Sequence, residues 1–212
     1  MPEPSSSGDA DARVAPTLPL TLLETVRSRD LPPEILEGED LPASLPRRLG
    51  LSDVVARQIV RFKDAKRRGE RIPAQEVKDL LRLVLRRPDA PDVLRETGRQ
   101  LARQYFGRVA APARVALRIL PRRAVLLAAR RATRKLLRPV AGGSVEDGRR
   151  PVLARVHGPV TVVDDSPTGC VLFSGALEEL VTLYTHATAT VSHSTCESRG
   201  DAYCEWILVE GT

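Results

Sequence analysis

The chain has 212 residues, enough for one domain of ordinary size plus a tail, and a net charge of +6. It has no apolar run long enough for a transmembrane helix, and its first residues lack the basic-then-apolar pattern of a signal peptide, so a cytoplasmic protein with reduced thiols is expected. Aromatic residues are only 3% of the chain, which argues against base stacking on single-stranded nucleic acid, and the arginine-heavy charge fits a GC-rich genome as readily as a polyanion partner.

Residues 1–16, rich in Pro, Ser, Gly and Asp, read as a disordered tail. From 17 to 50, short apolar clusters broken by Pro32, Pro33, Pro42 and Pro46 predict one or two short helices laid over a larger body. That body is expected to be a single α+β domain spanning 51–212, helical over 51–139 and sheet-forming over 151–212. Its first firm helix starts at the N-cap residue Ser52, carries Val55, Ile59 and Phe62 at helical spacing, and stops at Gly69. A second follows Pro73 as far as Arg87, and a third is capped by Asp89 and ends at Gly107. A long helical stretch from Pro112 to Arg138 is expected to kink near Pro121, with a loop at 140–144.

After residue 150 the pattern changes. The β-branched runs 152–156 and 160–163 flank His157-Gly158-Pro159 and predict a hairpin. Cys170 to Tyr184 has helical periodicity, and 188–196 and 203–209 alternate as strands around a turn at Arg199-Gly200-Asp201. The expected order is helices, then β-β-α-β-β, with four antiparallel strands.

The three cysteines, Cys170, Cys196 and Cys204, fall in the last fifth of the chain, in the frame C-x25-C-x7-C. Cys196 and Cys204 stand at the feet of one hairpin. Cys170 stands at a helix N-terminus, where the dipole and free amides favour a thiolate. Three thiols converging there point to zinc, a tetrahedral ion that would stitch helix to hairpin. Small thiols packed in the core are the competing reading, with a redox or disulfide role as the third.

The pattern Cys170, Gly175, Leu177, then Cys196-x3-Gly200-Asp201-x2-Cys204-x-Trp206 resembles the 4-vinyl reductase-like domain, related in fold to the small α+β subunits of TRAPP tethering complexes. That domain occurs in a bacteriochlorophyll-synthesis protein and in the sensory halves of phenol- and toluene-responsive transcription activators. The resemblance covers about 150–212 and is topological over 50–150. It implies a structural zinc on Cys170, Cys196 and Cys204 with an acidic fourth ligand upstream, a homodimer paired through helices, and a small apolar ligand between helices and sheet. A sensing role would need a partner to carry the signal. For the fourth ligand, the sequence offers Glu146, Asp147 and Asp164, with His157 as the alternative. His186 and His193 are expected at a helix end and on a strand face, with a ligand role the less favoured reading for each. The aromatic residues that enclose a phenol ring in the sensors are mostly missing here.

Between Glu96 and Glu146 there are twelve basic residues and no acidic one. An electropositive face for an acidic protein or an anionic lipid surface, centred on Arg130, Arg131, Arg134 and Lys135, is one reading, and a core helix with a solvated arginine rim is the other. No helix-turn-helix spacing appears, so specific DNA binding is disfavoured. No nucleophile elbow, carboxylate pair or phosphate loop supports an enzyme. The expectation is a non-enzymatic module that binds a small apolar ligand or mediates assembly. The alternative is a scaffold or tether with neither ligand nor metal that uses its basic stretch.

Overall fold

The computed structural model describes residues 12–30, 53–146 and 151–209. In chain order these form β1 (Arg13–Val14), α1 (Thr17–Asp30), α2 (Asp53–Arg68), β2 (Ile72–Pro73), α3 (Ala74–Leu85), α4 (Ala90–Gly107), α5 (Ala111–Ala116) and α6 (Arg122–Val140). Then come β3 (Ser144–Glu146), β4 (Val152–His157), a 3-10 turn at Pro167–Cys170, α7 (Val171–Thr185), β5 (Thr190–Thr195) and β6 (Cys204–Val209). The α+β class and the four-stranded antiparallel sheet expected from the sequence are present, in the order β3-β4-β6-β5.

α7 is the central helix. Leu172, Phe173, Ala176, Leu177, Leu180 and Val181 are buried around most of its circumference, the pattern of a helix covered on several sides. α6 and β5 pack on it, and α4 crosses it in the densest helix–helix contact of the domain. Two glycines make that crossing possible. A Cβ on Gly98 would stand 2.0 Å from the Leu172 carbonyl oxygen, and one on Gly175 would stand 2.4 Å from that of Arg95. The helices therefore meet backbone to backbone, closer than ordinary side-chain packing allows. α1 lies against α4 on the far side from α7, its Leu18, Leu20 and Leu22 buried.

Four local expectations are corrected. The tail does not extend to residue 16: Val14 pairs with Ile72 and Ala15 N–H donates to the Pro139 carbonyl, which pins this segment to the end of α6. The long helix is broken, not kinked, because Pro121 cannot continue α5 and instead precedes the first turn of α6. Asp89 occupies the N-cap position of α4 without capping it, since Arg87 takes its carboxylate. The first hairpin uses 144–146 with 152–157, not 152–156 with 160–163. Val160 and Thr161 are fully buried, and Val160 N–H donates to the Ala141 carbonyl, so this β-branched run packs under the turn after α6 instead of joining the ladder. Ser52 lies outside the described residues; α2 does stop at Gly69, whose φ of 68° suits the left-handed region glycine tolerates.

Candidate metal centre

Cys170 is the last residue of the 3-10 turn and the N-cap of α7. Its approach to the sheet depends on Gly169, where a Cβ would stand 2.1 Å from the Thr161 carbonyl oxygen. Cys196 follows β5 directly and Cys204 opens β6. All three thiols are free and buried.

Their arrangement is regular. Cys170 to Cys196, Cys170 to Cys204 and Cys196 to Cys204 are each 3.8 Å between sulfurs. A tetrahedral ion with metal–sulfur bonds near 2.3 Å needs sulfurs about 3.8 Å apart along each edge, whereas a disulfide needs about 2.05 Å. Van der Waals contact between packed thiols would also allow these spacings. What separates a metal centre from packed thiols is the fourth donor.

His193 is placed to supply it. A ring nitrogen of His193 lies within 4.8 Å of every sulfur in the cluster. Its Nε2 is buried without a hydrogen-bond partner. The imidazole stacks on the Trp206 indole, with centroids 4.8 Å apart and planes 12° from parallel. Trp206 is itself held by its Nε1–H, which donates to Ser174 Oγ at 3.0 Å. The donor set is thus three thiols and one imidazole, a composition that structural zinc sites use. A tetrahedral site wants nitrogen about 3.6 Å from sulfur, so a ring displacement of about 1 Å completes it.

A β-bulge explains how His193 joins the cluster. Ser192 faces Ile207 and His193 faces Trp206, but the next paired residue is Thr195, opposite Glu205. Ser194 is therefore an extra residue, anchored by its hydroxyl to the Glu205 carboxylate at 3.0 Å. Strict alternation would put His193 and Cys196 on opposite faces of the strand. The inserted residue changes the parity, and both reach the face that carries Cys204 and Trp206.

The sulfurs have further partners. Glu197 N–H donates to Cys204 Sγ at 3.4 Å, Ser198 Oγ lies 2.9 Å from Cys196 Sγ, and Thr161 Oγ1 lies 3.5 Å from Cys170 Sγ. Asp201 closes the turn by accepting from Cys196 N–H at 2.6 Å and donating its own N–H to the Cys196 carbonyl. Within the thiol pair, a hydrogen bond from Cys170 pulls the Cys204 pKa well below its ordinary value, helped by His193 and the Glu197 amide. The same shared proton, together with burial, pushes the Cys170 thiol up. Burial also pushes the Glu197 carboxyl up.

The other fourth-ligand candidates lie elsewhere. His157 Nε2 stands 3.4 Å from Glu146 Oε1, on the β3–β4 pair, and neither residue joins the cluster. Asp164 accepts from Ser166 N–H in a surface turn, and Asp147 lies outside the described residues. His186 caps α7 in the left-handed region, φ 55°. The one local trace of His193 in the sequence is the spacing His193-x2-Cys196, which becomes a ligand spacing only through the bulge at Ser194.

The basic stretch divides. Arg131 and Lys135 are exposed on α6, while Arg130 and Arg134 are half-buried, and Arg130 donates to the Val152 carbonyl at 2.9 Å. At i, i+1, i+4 and i+5 the four share one side of α6, with Arg130 and Arg134 at its half-buried edge. Among the described residues no helix is long and apolar enough to cross a membrane. An apolar groove of about 680 Å³ runs between α5–α6, the end of α7 and the tip of β6, lined by Leu117, Val125, Leu126, Val181 and Leu208. A smaller space of about 270 Å³ continues it along Leu126, Val181 and Leu208 toward Leu153. Comparison with family models, curated proteins and solved structures finds no match for this chain.

Proposed function

We propose that this chain is a non-enzymatic binding module of the 4-vinyl reductase-like kind, its fold held by a structural zinc on Cys170, His193, Cys196 and Cys204. The observation that carries this is the closed triangle of buried sulfurs, each pair 3.8 Å apart, with an unpartnered imidazole nitrogen beside it. Four protein donors leave no open coordination position for water or substrate, which favours a structural over a catalytic metal. The ion would join three parts far apart in sequence: the N-terminus of α7, the end of β5 and the start of β6. The cysteine arrangement and helix-then-sheet order are the features shared with the 4-vinyl reductase-like and TRAPP-subunit domains.

The binding function rests on the groove beside α6. Its volume falls in the range of small-ligand sites, and its lining is mainly aliphatic. A small apolar molecule or an aliphatic chain matches that surface better than a phenol ring, because the lining residues include no aromatic side chain other than His186. An environment-sensitive apolar dye should bind the zinc-loaded protein at one site and be lost in Leu126→Trp, whose indole fills the groove. Equal dye binding by wild type and Leu126→Trp would place the binding site elsewhere.

A further inference from the structure

The α5–α6 corner exposes large aliphatic side chains of a size that soluble surfaces usually cover. Ile119 is 85% exposed, Val115 61%, Leu127 50% and Leu120 44%. Around the turn they are interspersed with arginines: Arg114 precedes Val115, Arg118 precedes Ile119 and Leu120, and Arg122 and Arg123 follow Pro121. These four arginines are exposed, and among the described residues none has an acidic partner. No acidic residue occurs between Glu96 and Glu146, so the corner's charge is not offset from within its own segment.

We propose that this corner is a docking surface for an anionic lipid bilayer. Ile119, with Val115 and Leu120, enters the acyl boundary while the guanidinium groups meet lipid phosphates. Three observations select this occupant. A second copy of the chain is disfavoured, because a two-fold interface sets the same patch against itself and would oppose arginine to arginine. Nucleic acid is disfavoured, because the corner offers no aromatic platform for single strands and a duplex backbone would leave Ile119 and Val115 uncovered. Aliphatic side chains at a helix–helix turn, interspersed with arginines, supply the shallow insertion and the phosphate contacts that interfacial binding combines. The most exposed aliphatic residue, Ile119, sits in the connection between the two helices, where a planar surface can reach it.

The test uses the zinc-loaded full chain in co-sedimentation with vesicles of phosphatidylcholine alone or with one third phosphatidylglycerol. Binding to the anionic vesicles only, weakening as salt rises, is expected. Ile119→Asp should weaken it about tenfold and Arg118→Ser about fivefold, with melting curves unchanged because both positions are exposed. In an Ile119→Trp variant, lipids brominated on the acyl chain should quench the new fluorophore; native Trp206 is fully buried and serves as the internal reference. Absence of binding to anionic vesicles overturns the proposal, as does wild-type affinity in Ile119→Asp. Capture of an acidic protein through Arg118 without vesicle binding overturns it too.

Discussion

Cys196 and Cys204 stand 3.8 Å apart across the β5–β6 hairpin, and Ser194, two residues before Cys196, sets that approach. The bulge at Ser194 also aligns His193 with the same face. One inserted residue thus gathers three of the four donors, and the 3-10 turn before α7 brings the fourth.

Replacing ligands should separate true donors from neighbours. His193→Ala is expected to lower metal affinity by at least tenfold, whereas His157→Ala, Glu146→Ala and Asp164→Ala should leave it unchanged. Competition with a chromophoric chelator reads this directly. Loss of metal in His157→Ala with retention in His193→Ala would reverse the assignment.

The ionisation order of the thiols has a countable consequence. Because hydrogen bonds from Cys170 and His193 lower the Cys204 pKa, zinc binding at pH 7 should release fewer than three protons from the three thiols. Affinity should fall as the pH is lowered, because protons compete with the metal for the sulfurs and the imidazole. Calorimetry in buffers of different ionisation enthalpy gives the number. A release of three protons at neutral pH would contradict the shared-proton arrangement.

The α4–α7 crossing is expected to tolerate no side chain. Gly98→Ala would drive a Cβ into the Leu172 carbonyl, and Gly175→Ala would drive one into that of Arg95, so each should cost about 3 kcal/mol or more. Gly107→Ala, at the end of the same α4 helix, meets nothing within 4 Å and should be neutral or stabilising by about 0.5 kcal/mol. Chemical denaturation of the three variants distinguishes the crossing from ordinary helix propensity.

Arg87 ties three segments together. Its guanidinium donates to both oxygens of Asp30 at the end of α1, at 2.9 and 2.7 Å, and to Asp89 at the start of α4, at 2.8 and 3.2 Å. The Arg87 hydrogen bond holds the Asp89 carboxyl below its usual pKa, and these partners in turn raise that of Arg87. A carboxyl lowered in the folded state contributes stability above its unfolded pKa, about 3.9, and loses it as the pH falls through the folded value. Arg87→Met should therefore cost about 1–2 kcal/mol at neutral pH, a figure kept small by partial solvent exposure. The difference from wild type should shrink below pH 4. A gap that stays constant into strong acid would assign the cost to packing instead.

The sequence revealed what depends on local pattern and hid what depends on long-range packing. Cys170, Cys196 and Cys204 could be placed together because a helix start and two hairpin feet follow from periodicity and turn chemistry. His193 could not, because strict alternation puts it opposite Cys196, and only the ladder against β6 shows the extra residue. Val160 and Thr161 look like a strand by β-branching, yet burial under the turn after α6 decides their role. Gly98 and Gly175 carry no special backbone angle or turn motif; their importance appears only where two helices distant in sequence touch.

The most direct measurement is the metal content of the purified, untagged protein by elemental mass spectrometry, alongside Cys196→Ser and His193→Ala. One zinc per chain is expected, lost in Cys196→Ser, with a drop in melting temperature; metal at about 1,000 times its Kd adds about 4 kcal/mol of stability. A protein free of metal after expression in zinc, with three freely titratable thiols and a melting temperature that Cys196→Ser leaves unchanged, would contradict a structural zinc.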